Sequence, residues 1–293
     1  MKQGNSDTKV QQPFRPNLPV VLTSFIGRKR ETAEVVQLVA SSRLLTLTGA
    51  AGCGKTRLAL RAAAEVSPQY ADGVHWVELA RLADPLLVPK AVARAVNIAE
   101  QRDRPLVDGL LDALRDKQLL LVLDNCEHVL SACTQLVESL LAAPEVSILA
   151  TSREPLGVSG EILYPVAPMS LPSPTLSADE MGQFDAIQLF VERARAIVLP
   201  FELTAENAGV VASICRQLDG IPLAIELASA RVSVLTAEQI AARLDDRFRL
   251  LGTGTHLTSS HHRTLRAALD WSHDLLTLPE QVTLRRLSVF AGG

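Results

Sequence analysis

Residues 49–56 read Gly-Ala-Ala-Gly-Cys-Gly-Lys-Thr, between the apolar run Leu44 to Thr48 and a stretch of helical periodicity that opens at Thr56. A glycine, four residues and then Gly-Lys-Thr, flanked in that way by strand and helix, is the pattern of a phosphate-binding loop. Gly49, Gly52 and Gly54 let the backbone turn with its N–H groups inward, and the start of the next helix adds a favourable dipole for phosphate oxygens. Lys55 is placed to reach β- and γ-phosphates, and the Thr56 hydroxyl to coordinate Mg²⁺. Cys53 in the loop and Arg57 just after it join the candidate nucleotide contacts. A chance glycine-rich turn is the alternative, and the correct order of strand, loop and helix argues against it.

Such a loop needs a second metal handle. The run Leu-Leu-Leu-Val-Leu-Asp at 119–124 puts Asp124 at the carboxyl end of a buried strand, where a carboxylate can hold Mg²⁺ together with Thr56. A helix cap is the plainer role for such a carboxylate. Asn125 follows where many related ATPases carry a second acid, so Glu127 is the nearest candidate general base and slow hydrolysis is expected. The next strand ends in Thr151-Ser152-Arg153. Arg153 is either a γ-phosphate sensor acting through a charge-assisted hydrogen bond or a solvated surface charge. No Asn/Thr-Lys-x-Asp motif for reading guanine lies in this region, which favours adenine.

Short apolar runs at 44–48, 74–77, 119–123, 146–150 and 162–166 alternate with helical periodicity at 56–66, 88–96, 107–115 and 129–141. This alternation predicts an α/β unit with a doubly wound parallel sheet. The Pro/Ser-containing segment 170–179 reads as a linker. Helices are expected after it at 186–197, 205–218, 222–232 and 237–244, with Thr236 and Gln239 as a capping box and Pro222 in a first turn. Residues 1–19 carry three prolines and little to bury, which predicts a disordered lead-in. A nucleotide-binding unit is expected over 20–169, linker and helical lid over 170–255, and a further unit, cut short at Gly293, from 256; its helices are expected at 264–276 and 279–287.

A net charge of −3 gives no reason to expect wholesale binding to nucleic acid or to an anionic membrane. Cys53, Cys126, Cys133 and Cys215 lack metal-ligand spacing and are expected to be reduced and structural. With neither a signal-peptide core nor a membrane-length apolar run, a cytoplasmic protein is expected. His256, His261 and His262 lack a matching ligand set and read as an interdomain loop, Trp271 reads as core, and Ser152 lacks the elbow of a hydrolase nucleophile.

Six strings in order, TSFIGRKRE (23–31), LTGAAGCGKTRLA (47–59), LLLVLDNCEHV (119–129), ILATSREPLGVSGE (148–161), GIPLAIELASARV (220–232) and RTLRAALDWSHDLL (263–276), together resemble the STAND class of signal-transduction ATPases. These are NB-ARC-like proteins, and the likeness is strongest to the ATPase core of bacterial LuxR- and AfsR-type transcriptional regulators. The resemblance implies that Phe25, Ile26, Gly27 and Arg28 lie against adenine or ribose, and that Pro222 closes on the base from the helical lid. It implies that the last unit is a winged helix, here incomplete. It also implies an ATP/ADP switch with Mg²⁺, with room for homo-oligomer formation on activation. No membrane role is expected, and the lack of a clear basic recognition stripe in the incomplete last unit argues against direct DNA binding by this stretch. A P-loop metabolic enzyme such as a small-molecule kinase is the alternative; it needs a second-substrate pocket that residues 180–293 do not plainly supply.

Overall fold

The computed structural model describes residues 17–100, 103–251, 269–270, 273, 276 and 278–288. Five parallel strands, β1 (Leu44–Thr48), β2 (Val74–Glu78), β3 (Leu119–Asp124), β4 (Val146–Ser152) and β5 (Ile162–Pro165), form one sheet in the order β2-β3-β4-β1-β5. Parallel neighbours need crossovers, and helices supply them on both faces. Successive residues of β3 face opposite ways. Leu119, Leu121 and Leu123 join a buried cluster with α3 (Val88–Ala95), α4 (Leu106–Leu114) and α5 (Leu130–Leu140). Leu120 and Val122 join a second cluster with α1 (Lys29–Ser41) and α2 (Lys55–Val66). Each fully buried leucine contributes about 1.5–3 kcal/mol, so the apolar run 119–123 ties the helices of both faces to the sheet.

Helix α1 was not anticipated in sequence. Its apolar positions are interrupted by Lys, Arg, Glu and Gln, and only Thr32, Val35 and Val39, at helical spacing, are buried. Among the described residues no strand follows β5. The chain continues through α6 (Ala178–Met181), α7 (Asp185–Arg195), α8 (Ala208–Gln217), α9 (Pro222–Ser229) and α10 (Ala237–Leu251), whose apolar sides make a third cluster around Phe190. The 170–179 segment expected to be linker ends in the start of α6, because Ser177 and Glu180 form a reciprocal capping box. The box anticipated at Thr236 is present: Thr236 N donates to Gln239 Oε1 (3.1 Å) and Gln239 N to Thr236 Oγ1 (3.3 Å). α9 gives way to a 3₁₀ turn at Ala230–Ser233, shorter than the expected helix, and α10 runs past 244 to Leu251.

The joint between sheet and helices depends on Gly220. Its φ is +65°, Met169 N donates to its carbonyl at 2.9 Å, and a Cβ there would lie 2.5 Å from Met169 O. Only glycine meets both demands. α11 (Leu278–Leu287) matches the helix expected at 279–287. Residues 1–16 of the lead-in, most of the helix expected at 264–276 including Trp271, the three histidines and most of the expected winged helix lie outside the described residues.

Candidate functional site

The order of strands places β4 between β1 and β3, with Thr48 opposite Ser152 and Leu123 opposite Ala150. The carboxyl ends of the three strands therefore converge on the loop that leaves β1. In that loop Gly49, Gly52 and Gly54 all have positive φ, as an inward-turned backbone requires. Lys55 Nζ folds back onto the carbonyls of Gly49 (2.8 Å) and Ala50 (3.0 Å). The Thr56 hydroxyl donates to Asp124 Oδ1 at 2.8 Å, joining the first helical turn after the loop to the end of β3.

Asp124 Oδ1 also accepts from Thr151 Oγ1 at 2.6 Å, and Thr151 Oγ1 in turn accepts from Asn125 N at 2.9 Å. Asn125 has φ +63°, a left-handed conformation that asparagine tolerates better than most residues; its place in the chain is met by backbone geometry. Burial pushes the Asp124 carboxyl above its ordinary pKa, the hydroxyls of Thr151 and Thr56 pull it back, and the charges of Glu127 and Glu78 push it further up. Glu127 pairs through Oε1 with Arg153 Nε at 3.1 Å, while its Oε2 is buried without a hydrogen-bond partner. Arg153 is half exposed. Asp124, bonded to the first turn after the loop, thus lies near the Glu127–Arg153 pair.

On the other side, Phe25 packs against the sheet cluster and its neighbour Ile26 against the helical cluster. Gly27 has φ +67°, and a Cβ there would overlap the Asp185 carboxyl. Arg28 is also left-handed, with φ 55°, and its backbone N–H donates to Asp185 Oδ2 at 3.0 Å. The buried Arg28 guanidinium gives Nη2 to the carbonyls of Cys53 (2.7 Å) and Ala167 (2.8 Å), and Nη1 is buried with no partner. The Cys53 side chain points into the sheet core, so what it offers the site is its backbone. Helix α9 closes the arrangement: Leu223 N donates to Gly52 O at 3.2 Å, and Pro222 lies over Gly54. Phe25, Arg28, Gly54, Arg57 and Pro222 line a cavity of about 30 Å³.

Comparison with known proteins gives the family of the chain. Residues 21–220 match the family described as novel STAND NTPase 1. The chain belongs to this family. An uncharacterised protein of Mycobacterium tuberculosis is 42% identical over 273 residues, covering 93% of this chain and 67% of its own length. A second M. tuberculosis protein, named as a candidate HTH-type transcriptional regulator, is 46% identical over 257 residues; the match covers 87% of this chain and 28% of that protein. In fold, the chain is similar to the crystal structure of a STAND protein with a tetratricopeptide repeat sensor from Pyrococcus horikoshii. That likeness has a TM-score of 0.51 at 18% identity, over 96% of this chain and 37% of that one.

For this STAND NTPase, sequence reasoning missed Thr151, Asp185, Arg193 and Glu226. Thr151 had a signal, a hydroxyl at the end of a buried strand. Glu226 had one as well, since it stands four residues after Pro222 and so on the same face of α9. Asp185 and Arg193 had none, because nothing local says that α7 faces the loop. Among the described residues no cluster of three or more His, Cys, Asp or Glu could hold a metal, all four cysteines are free and buried, and no helix is long and apolar enough to cross a membrane.

Proposed function

We propose that this chain is a nucleotide-controlled switch, binding ATP or ADP with Mg²⁺ between the sheet unit (20–169) and the helical lid (170–255) and hydrolysing ATP slowly. The observation that carries the reading is that one loop is gripped from both sides: Thr56 is bonded to Asp124, and Gly52 to the first turn of α9. The residues fit the groups they would hold. Three glycines with positive φ would let the loop turn its N–H groups towards phosphates, Lys55 follows them directly, and Arg28 brings a buried, unpartnered N–H.

Thr56 and Asp124 would hold Mg²⁺, which when bound supplies positive charge against the β- and γ-phosphates. Phe25, Ile26, Gly27, Arg28 and Pro222 would surround adenine and ribose, with Cys53 contributing backbone and Arg57 bracing the strap before α1. Glu127 is the proposed general base. Its buried Oε2 can accept a proton from water, and its ion pair with Arg153 couples that carboxylate to a cation able to turn towards a γ-phosphate. The winged-helix start at 256–293, a cytoplasmic location, NB-ARC-like exchange of ADP for ATP and homo-oligomer formation on activation belong to the same proposal. So does a place inside a larger transcriptional regulator, supported by the name of the 46% identical relative.

The test is to denature purified protein and identify the released nucleotide by mass spectrometry, then to titrate the emptied protein with ATP and ADP, with and without Mg²⁺, by calorimetry. Near-stoichiometric ADP and a Mg²⁺ requirement for tight ATP binding are expected. Failure to bind either nucleotide sinks the proposal.

A further inference from the structure

Where lid, strap and loop helix converge, two cations meet one carboxylate. Arg57, one residue past Thr56, donates Nη1 to Thr23 Oγ1 (3.0 Å) and Nη2 to the carbonyls of Thr23 (3.0 Å) and Ser24 (2.7 Å). Arg193 of α7 donates Nη2 to the same Ser24 carbonyl at 3.0 Å and Nη1 to Ser24 Oγ at 3.3 Å. Glu226 of α9 accepts Arg193 Nε on Oε1 at 2.9 Å, and that oxygen lies 3.6 Å from Arg57 Nη1. The side chains are 13% (Arg193), 30% (Arg57) and 31% (Glu226) exposed, so water screens them incompletely. A second acid, Glu192, accepts from Ser24 Oγ at 3.2 Å.

Two guanidiniums aimed at one carbonyl repel each other unless an anion stands between them. Their electrostatics show that balance: burial lowers the Arg57 pKa, Glu226 raises it and Arg193 lowers it again. What they hold matters, because Ser24 directly precedes Phe25 and Ile26, which pack on the sheet and lid cores respectively. The Ser24 carbonyl is thus the point where a cation from the loop helix and a cation from the lid grip the same strap.

We infer that Glu226 is a positioning residue for nucleotide retention: by neutralising Arg57 and Arg193 it lets both clamp the strap at Ser24, which keeps strap and lid closed over the base side of the site. The inference rests on the nucleotide site proposed above. Without the charge of Glu226, strap and lid loosen together and bound nucleotide leaves faster, while Lys55, Thr56 and Asp124 keep their places.

The 293-residue chain, loaded with Mg²⁺ and N-methylanthraniloyl-ADP, is mixed with excess ADP in a stopped-flow instrument, and the release rate is read. Glu226→Gln is expected to release about tenfold faster, because truncating a charge pair acts mainly on dissociation. Added salt separates an electrostatic clamp from a packing role: wild-type release should speed up as the attraction is screened, whereas release from Glu226→Gln should stay level or slow, since only repulsion is left to screen. In the double variant with Arg193→Gln, the effect should fall short of the product of the two singles. Release within twofold of wild type, or multiplicative effects with a shared salt dependence, overturns the inference. If Glu226→Gln melts early, the wild-type salt dependence and Arg193→Gln decide by the same criterion. Should wild type bind the labelled ADP no better than Lys55→Ala, the nucleotide site itself fails and the clamp with it, an outcome distinct from normal binding with unchanged release.

Discussion

The two sides of the phosphate loop are held by different forces. On the sheet side, Asp124 (5% exposed) and Thr151 (0%) sit at neighbouring strand ends, and the contacts to Asp124 Oδ1 are hydroxyl hydrogen bonds of 2.6 and 2.8 Å. On the lid side, besides the buried Arg28, contact runs through partly exposed charges and the backbone bonds Leu223–Gly52 and Met169–Gly220 at the joint of two separately packed cores. Buried hydrogen bonds anchored in one core resist salt and small motions, and charges across a joint do not. On the proposed function, the sheet side would fix the geometry of phosphate and metal, and the lid side would set how long the ligand stays.

The largest effect that could break this division is on turnover. Glu127→Gln should lower the slow hydrolysis at saturating ATP by about 10²–10⁴-fold while ATP affinity persists, the mark of a group acting mainly in the transition state. Phosphate release and calorimetry read the two quantities. Rapid turnover indifferent to Glu127 would mean that another base exists and that the Glu127–Arg153 pair is only a surface contact.

Lys55→Ala should next reduce affinity for ATP and ADP by about 100-fold or more, since a charge-assisted phosphate contact is lost. The fold should survive, because Lys55 fills no core volume and bonds only carbonyls of its own loop. Unchanged affinity by calorimetry would remove the sheet side from the argument.

Gly220→Ala sharpens the comparison from the lid side. A Cβ forced to 2.5 Å from Met169 O at φ +65° should destabilise the chain by roughly 2–3 kcal/mol, read by chemical denaturation. The joint would then be expected to melt ahead of the sheet. A neutral substitution would show that lid and sheet meet more loosely than the Met169–Gly220 bond suggests.

The sheet side was largely legible in sequence, because a glycine pattern and an apolar strand ending in aspartate are local signals with fixed chemistry. Lys55, Thr56 and Asp124 could be read from those patterns, and Glu127 only as the nearest acid after Asn125. The strand order could not: whether β4 lies beside β1 or at an edge depends on which helices cover which face, and with it goes the role of Thr151. The lid side was half legible. Pro222 advertises itself as a helix start, but Arg193 and Asp185 look like ordinary surface charges until the crossing of α7 over the strap is known. Helix α1 was hidden for a related reason, since only one narrow stripe of it is buried.

The smallest effect tests whether the sheet side is optimised for stability or for a ligand. Asp124→Asn keeps an oxygen able to accept from both Thr56 and Thr151 but removes a charge that burial disfavours. Because the folded-state pKa is raised, the native state binds the proton more tightly than the unfolded chain, so the carboxylate lowers stability once pH exceeds the ordinary carboxylate range. Without nucleotide, Asp124→Asn should therefore be slightly more stable than wild type at pH 7, read by chemical denaturation. The difference should shrink as pH falls through the raised pKa and vanish below the unfolded value. Adding Mg²⁺ and ADP should reverse the order, since a metal that needs the carboxylate stabilises only the wild type by mass action. A variant less stable than wild type at pH 7 without ligand would show that the Asp124 charge holds the strand ends together by itself, and the contrast between a ligand-ready sheet side and a charge-held lid side would lose its basis.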